Sequence, residues 1–215
     1  NGHAETLLGQ AIRGRRQDAF VATKVGRPRF DLPMDCGPDT FQRSLENSLL
    51  RLECDRVDLV QLHDPSPAMA TDPAAIEALL TLKDRGLARY TGVSCKAPEH
   101  GLALVGRGID FLQVNFNLMD QRAATCGLLD AAEGKVAIIA RTPLCFGFLS
   151  GAIPENPRFG EGDHRNNWPP AQIARWIDGA REFGDRLAAR NGLPLLDLAL
   201  RYCLSFPAVT AVLPG

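Results

Sequence analysis

The sequence predicts an α/β protein built on a parallel sheet, and three observations carry that prediction. Short apolar runs alternate with amphipathic stretches along the whole chain. Most of the runs are apolar nearly throughout, several rich in Val or Ile, which suits parallel strands covered on both faces. Strict β-α alternation then implies right-handed crossovers, in an open sheet or in a (β/α)₈ barrel. An open dinucleotide-binding sheet should show G-x-G-x-x-G after its first strand, and no run here is followed by one. That weighs toward the barrel without removing the open sheet.

The elements follow in order. A helix is expected over Glu5–Arg13, where Leu7, Leu8, Ala11 and Ile12 share a face. Ala19–Val25 is the first strand. Pro38 and Asp39 stand where a helix begins, and Phe41, Leu45, Leu49 and Leu52 then make one apolar stripe. Val57–His63 is the second strand. Asp72-Pro73 opens another helix, with Ile76, Leu79 and Leu80 on one side and Gly86 to stop it. Tyr90–Ser94 is the third strand, Pro98–Val105 a shorter helix, Phe111–Asn115 the fourth strand and Val136–Arg141 the fifth. A long connection from Cys145 to Pro170 comes next, rich in Gly, Pro, Asn and charge. A connection of this kind is usually a functional lid or disordered. In a barrel it would lie on the C-terminal face, where active sites sit. Ile173, Trp176, Ile177, Ala180 and Phe183 then form a long stripe that ends near Asn191-Gly192. Pro194–Leu204 is the last helix and Val209–Leu213 the last strand.

Composition narrows the function. The chain has 215 residues, a net charge of −1, 45% apolar and 23% charged residues, enough for one sizeable core, and its length alone fits either one domain or two. No basic stripe marks a nucleic-acid binder. No apolar run reaches the ~18 residues of a membrane span. Asn1–Glu5 has none of the pattern of a signal peptide. The six cysteines are widely spaced, without C-x-x-C pairs or zinc spacing, so they read as reduced, mostly buried thiols of a cytoplasmic protein with no metal site.

Polar residues then stand out at the strand ends. Lys24 lies near the end of the first strand, where a buried ammonium needs a partner or a task. The plain alternative is a lysine that snorkels into water. His63 closes the second strand, and alone it reads as a satisfied core histidine. Together they change the reading, because the C-terminal ends of barrel strands converge on one site. Ser94 closes the third strand. Gln113 is an amide inside a buried strand, which needs partners for its donors and acceptor: a core network, or a ligand amide such as a nicotinamide carboxamide. The turn from Thr142 to Gly151 exposes backbone N–H groups that can cradle a phosphate. Phe146, Phe148 and Trp168 are candidate pocket walls, or residues that pack the connection down.

Six segments in sequence, VATKVG, SLLRLECDRVDLVQLHD, LKDRGLARYTGVS, FLQVNFNL, IIARTPLCFGFLSG and RYCLSFPAVTAVLPG, resemble the aldo-keto reductases in order and spacing. The resemblance covers nearly the whole chain and implies a single domain over 1–215, an incomplete aldo-keto reductase barrel. It implies a (β/α)₈ barrel with strands 3 to 8 in this chain, and hydride transfer between NADPH, or NADH, and a small-molecule carbonyl or alcohol. Lys24 and His63 match the catalytic lysine and histidine. Ser94 and Gln113 match the residues that hold the nicotinamide carboxamide. Thr142, Leu144 and Phe146 match the loop along the cofactor pyrophosphate. Arg141 stands where the family often has an aromatic residue stacked on the nicotinamide, and a guanidinium can also stack flat on a ring. Cys95 replaces an Asn common in the family. The resemblance also implies that the tetrad's Asp and Tyr, with the first two strands and the first helix, lie before Asn1. The 2′-phosphate loop and the last helix should follow Gly215. A cofactor-binding regulatory subunit and an inactive fragment are the alternatives.

Overall fold

The computed structural model describes residues 2–27 and 37–214. Six strands form one parallel sheet in sequence order: β1 (Ala22–Val25), β2 (Val57–His63), β3 (Ala88–Ser94), β4 (Phe111–Asn115), β5 (Ala137–Arg141) and β6 (Val209–Leu213). β1 and β6 are its edges, so the barrel is not closed.

The helices are α1 (His3–Ala11), α2 (Pro38–Leu52), α3 (Pro67–Thr71), α4 (Pro73–Asp84), α5 (Pro98–Leu102), α6 (Arg122–Thr125), α7 (Leu128–Ala132), α8 (Pro170–Phe183) and α9 (Leu195–Leu204). Proline sits in the first turn of α2 and α4, where its missing N–H costs nothing. The Asp72 carboxylate accepts from the Ala74 N–H at 3.0 Å and caps α4. The α2 stripe is buried as its spacing predicts: Phe41, Leu45, Leu49 and Leu52 lie in the main core. On α1, Glu5 accepts hydrogen bonds from Thr23 of β1 and Arg51 of α2, tying three elements together.

The helix side of the sheet holds that core: Val25, Val60, Leu62, Val93, Leu112, Val114, Ile138 and Ala140 pack there. Side chains alternate along a strand, so the intervening residues line the opposite face. Strand register sorts that face into rows. One row runs Lys24, Gln61, Gly92, Phe111, Ala137. The next runs His63, Ser94, Gln113, Ile139, Ala211. A third runs Asn115, Arg141, Leu213. Gly92 lets β3 and β4 approach, since a Cβ there would meet the Phe111 carbonyl oxygen at 2.6 Å.

Several elements differ in extent from the sequence reading. β1 starts at Ala22 because the chain arrives from a tight turn at Arg16–Asp18, and the Val21 N–H bonds the Asp58 side chain instead of a strand. β3 starts earlier, at Ala88. The long stripe after Pro170 is a continuous helix only to Phe183; a π turn over Gly184–Ala188 and a 3₁₀ turn follow, ended by Gly192 at φ +63°. The Cys145–Pro170 connection carries 3₁₀ turns at Cys145–Ser150 and His164–Asn167. Cys95, Cys145 and Cys203 are buried free thiols, Cys54 and Cys126 are half-buried, and Cys36 lies outside the described residues. Among the described residues, no helix is long and apolar enough to cross a membrane.

Candidate active site

The polar residues of the upper two rows meet at the C-terminal ends of the strands. Gln113, nearly buried in β4, donates from Nε2 to the Ser94 Oγ at 3.4 Å. Ser94, fully buried at the end of β3, donates to the Asp64 Oδ1 at 3.4 Å. Asp64 directly follows His63. Its Oδ1 also faces the Arg141 Nη1 at 3.5 Å. Arg141 closes β5 and reaches back across β4 to donate from Nη2 to the Cys95 carbonyl at 3.2 Å. Arg27, just past β1, donates to the Asp64 carbonyl at 3.3 Å.

Lys24 sits on the same face, one row below His63. Burial lowers its pKa, the positive Arg141 lowers it further, and Asp64 opposes both. His63 is shifted down from its ordinary value in the same way: burial acts first, then Lys24, with Asp64 again opposing and Arg27 and Arg141 adding to the fall. His63 is therefore a neutral imidazole at pH 7, able to donate a hydrogen bond to an oxygen.

Thr142 begins the loop after β5 at φ +54°. Its hydroxyl bonds the Arg141 carbonyl and the Asn115 side chain. Buried Asn117 donates to the Thr142 carbonyl at 2.9 Å and accepts the Met119 and Asp120 N–H groups, which fixes the loop from below. Thr142, Cys145 and Phe146 all hold positive φ, and so does Asp64. Non-glycine residues in that region carry strain, which collects at functional sites.

The structure thus brings Lys24, His63, Ser94, Gln113 and Arg141 to one end of the sheet, with Thr142 joined through Asn115. Leu144 and Phe146 go elsewhere: their side chains pack into a second apolar cluster between the loop, α8 and α9. The Phe146 ring lies 4.5 Å from Trp168 and 5.9 Å from Trp176. Phe148 is buried, packs on Trp176 and helps hold the connection down; it also lines a cavity between this connection and α8. The Cys95 thiol lies in the main core, where burial pushes it up to about 12; only its carbonyl serves the site. Asp64 and Arg27 escaped the sequence reading. The signal for Asp64 was its place beside a strand-ending histidine.

The residues present suit a nicotinamide cofactor. Ser94 and Gln113 are bonded to each other only at 3.4 Å, a hydroxyl and an amide suited to a carboxamide. The Arg141 Nε is buried without a hydrogen-bond partner, and so are both amide atoms of Gln61 on the same face. A cleft of about 760 Å³ lies at the opposite end of the strands, between Tyr90, Phe111, Lys135 and Thr210. It contains none of these groups, and barrel chemistry belongs at the C-terminal end.

The family model for the aldo/keto reductase family matches residues 1–215. The chain belongs to the aldo/keto reductase family. It is 31% identical to an aldo-keto reductase of Schizosaccharomyces pombe named for NADP(+), over 100% of this chain and 66% of that protein. It is 28% identical to a probable voltage-gated potassium channel subunit beta of Arabidopsis thaliana, over 100% of this chain and 70% of that one. Among solved structures, a glycerol dehydrogenase of Gluconobacter oxydans superposes with a TM-score of 0.80 at 27% identity, covering 98% of this chain and 67% of that one. This aldo/keto reductase chain spans about two thirds of the length of those relatives. The family and its relatives make it an oxidoreductase by kinship.

Proposed function

We propose that the complete protein reduces small-molecule aldehydes or ketones to alcohols in the cytoplasm with NADPH, or with NADH, and that β1–β6 are the third to eighth strands of its barrel. The observation that carries this reading is the row His63, Ser94, Gln113 with Lys24 and Arg141 beside it, all at the C-terminal strand ends.

When bound, the cofactor supplies the hydride. Ser94 and Gln113 would hold its carboxamide, Arg141 would lie against its ring, and the backbone of Thr142–Phe146 would cradle its phosphates. The neutral His63 imidazole donates a hydrogen bond to the substrate oxygen and orients it as negative charge develops there. Lys24 keeps a positive charge close to the proton donor, a tyrosine that the family resemblance places before Asn1. An ordinary tyrosine has a pKa near ~10, and a neighbouring ammonium lowers it toward the working pH.

A second reading, a cofactor-binding subunit without turnover, draws on the channel-subunit relative. The test is to follow NADPH oxidation by the full chain over a panel of aldehydes and ketones, with cofactor binding measured alongside. Turnover supports the reductase. Tight binding without turnover on any carbonyl supports the subunit.

A further inference from the structure

We propose that Asp64 is a positioning residue for this reaction: its carboxylate anchors the Arg141 guanidinium, accepts from Ser94, and balances the positive charge gathered around Lys24 and His63. The inference rests on the reductase reading for its link to turnover, but its physical core does not.

The argument starts from backbone geometry. Asp64 holds φ +47° directly after β2. Its own N–H bonds the Ser94 carbonyl at 3.0 Å, and its carbonyl accepts from Arg27. Both ends of the residue's backbone are therefore tied down, and its Oδ1 meets Ser94 and Arg141. Around it stand charged or titratable groups from three strands: Lys24 and Arg27 from β1 and its end, His63 from β2, and Arg141 from β5. Ser94, from the end of β3, supplies a hydroxyl. The ion pair with Arg141 at 3.5 Å and the bond from Ser94 at 3.4 Å share one oxygen. Through Ser94 the chain of contacts runs on to Gln113. One carboxylate thus links the two groups that would hold the cofactor carboxamide to the arginine that would lie against its ring. It also offsets the repulsion between Arg141 and Lys24.

The test is Asp64→Asn in the full-length protein. Asparagine is among the residues most tolerant of positive φ, so the backbone survives while the charge goes. The first readout is the His63 imidazole titration by NMR without cofactor; it needs no turnover. We expect its midpoint to move to lower pH, because a negative neighbour that favours its charged form has been removed. The second is the pH profile of kcat, where the alkaline limb should move to lower pH as Lys24 loses its proton more easily. The third is the NADPH dissociation constant, expected to rise about tenfold (~1.4 kcal/mol). Arg141→Gln, which breaks the ion pair from the other side, should weaken NADPH by a similar factor and add little to Asp64→Asn. An unmoved His63 midpoint in Asp64→Asn overturns the proposal, whatever turnover does. A shifted midpoint in Asp64→Asn, together with a wild-type protein that reduces no carbonyl, leaves the electrostatic role standing and removes the reductase reading instead.

Discussion

The two ends of the sheet hold their carboxylates in opposite ways. Near the strand starts, Asp58 accepts from the Arg16 Nη2 at 2.7 Å and the Val21 N–H at 2.8 Å. Asp110 accepts from Lys83 at 2.8 and 2.9 Å and from the Thr91 N–H at 2.9 Å. These are short, charge-assisted bonds that lock a loop or helix to a strand. At the strand ends, Asp64 makes its contacts at 3.4 and 3.5 Å, among residues at positive φ. The Nε of Arg27 and of Arg141 go without partners there. The Arg16 Nε is unpartnered at the other end, but both of its other nitrogens are bonded. One end spends its hydrogen-bonding capacity on stability. The other leaves part of its hydrogen-bonding capacity unused, and it is the end where barrel enzymes do their chemistry.

Three substitutions probe that contrast. The largest effect is expected from Lys24→Met in the complete protein: turnover should fall by about a hundredfold or more, with NADPH affinity largely kept. Steady-state rates and a binding titration check it, and unchanged turnover breaks the assignment of this end as catalytic. Asp110→Ala should do the reverse. It leaves the Lys83 ammonium and the Thr91 N–H without their shared acceptor. Both members of that pair are partly exposed, so the cost is about 1–2 kcal/mol after solvent screening. A urea melt reads the loss, while kcat should stay at the wild-type value. The smallest effect is a pH dependence from His63→Gln. The folded-state pKa of His63 is lowered, so the unfolded chain takes up its proton first as pH falls. That penalty is absent above the ordinary histidine value of 6.5 and grows below it. The variant should therefore gain stability relative to wild type between pH 7 and pH 5. Melts at the two pH values showing a constant difference would mean that His63 is not held neutral by its surroundings.

What the sequence made legible follows from the length of each signal. Val57–His63, Phe111–Asn115 and Val209–Leu213 fold over the very residues read as strands, because each is a continuous run with clear ends. The long stripes of α2 and α4 were equally plain. α6 and α7 were not, since helices of four and five residues cannot show a period, and Gly127 in the left-handed region separates them. Of the candidate site, Lys24, His63, Ser94 and Gln113 stand out because each is a polar residue in or at the end of an apolar run, whereas Arg141 stands out only through the family resemblance. The side chains of Leu144 and Phe146 pack into the second apolar cluster, and nothing in a single sequence distinguishes Phe146 packed on Trp168 from Phe146 lining a pocket. Asp64 was hidden for a different reason. Its role depends on Arg141, 77 positions further on, and only the register of the intervening strands brings the two together.

The central claim is that the strand-end cluster carries hydride transfer to a carbonyl. Single-turnover reduction by the full-length protein with cofactor deuterated at the nicotinamide C4 tests it most directly. The account predicts deuterium on the carbinol carbon with wild type and almost none with Lys24→Met, although both bind the cofactor. Wild-type protein that binds the cofactor and transfers no deuterium to any aldehyde or ketone would contradict it.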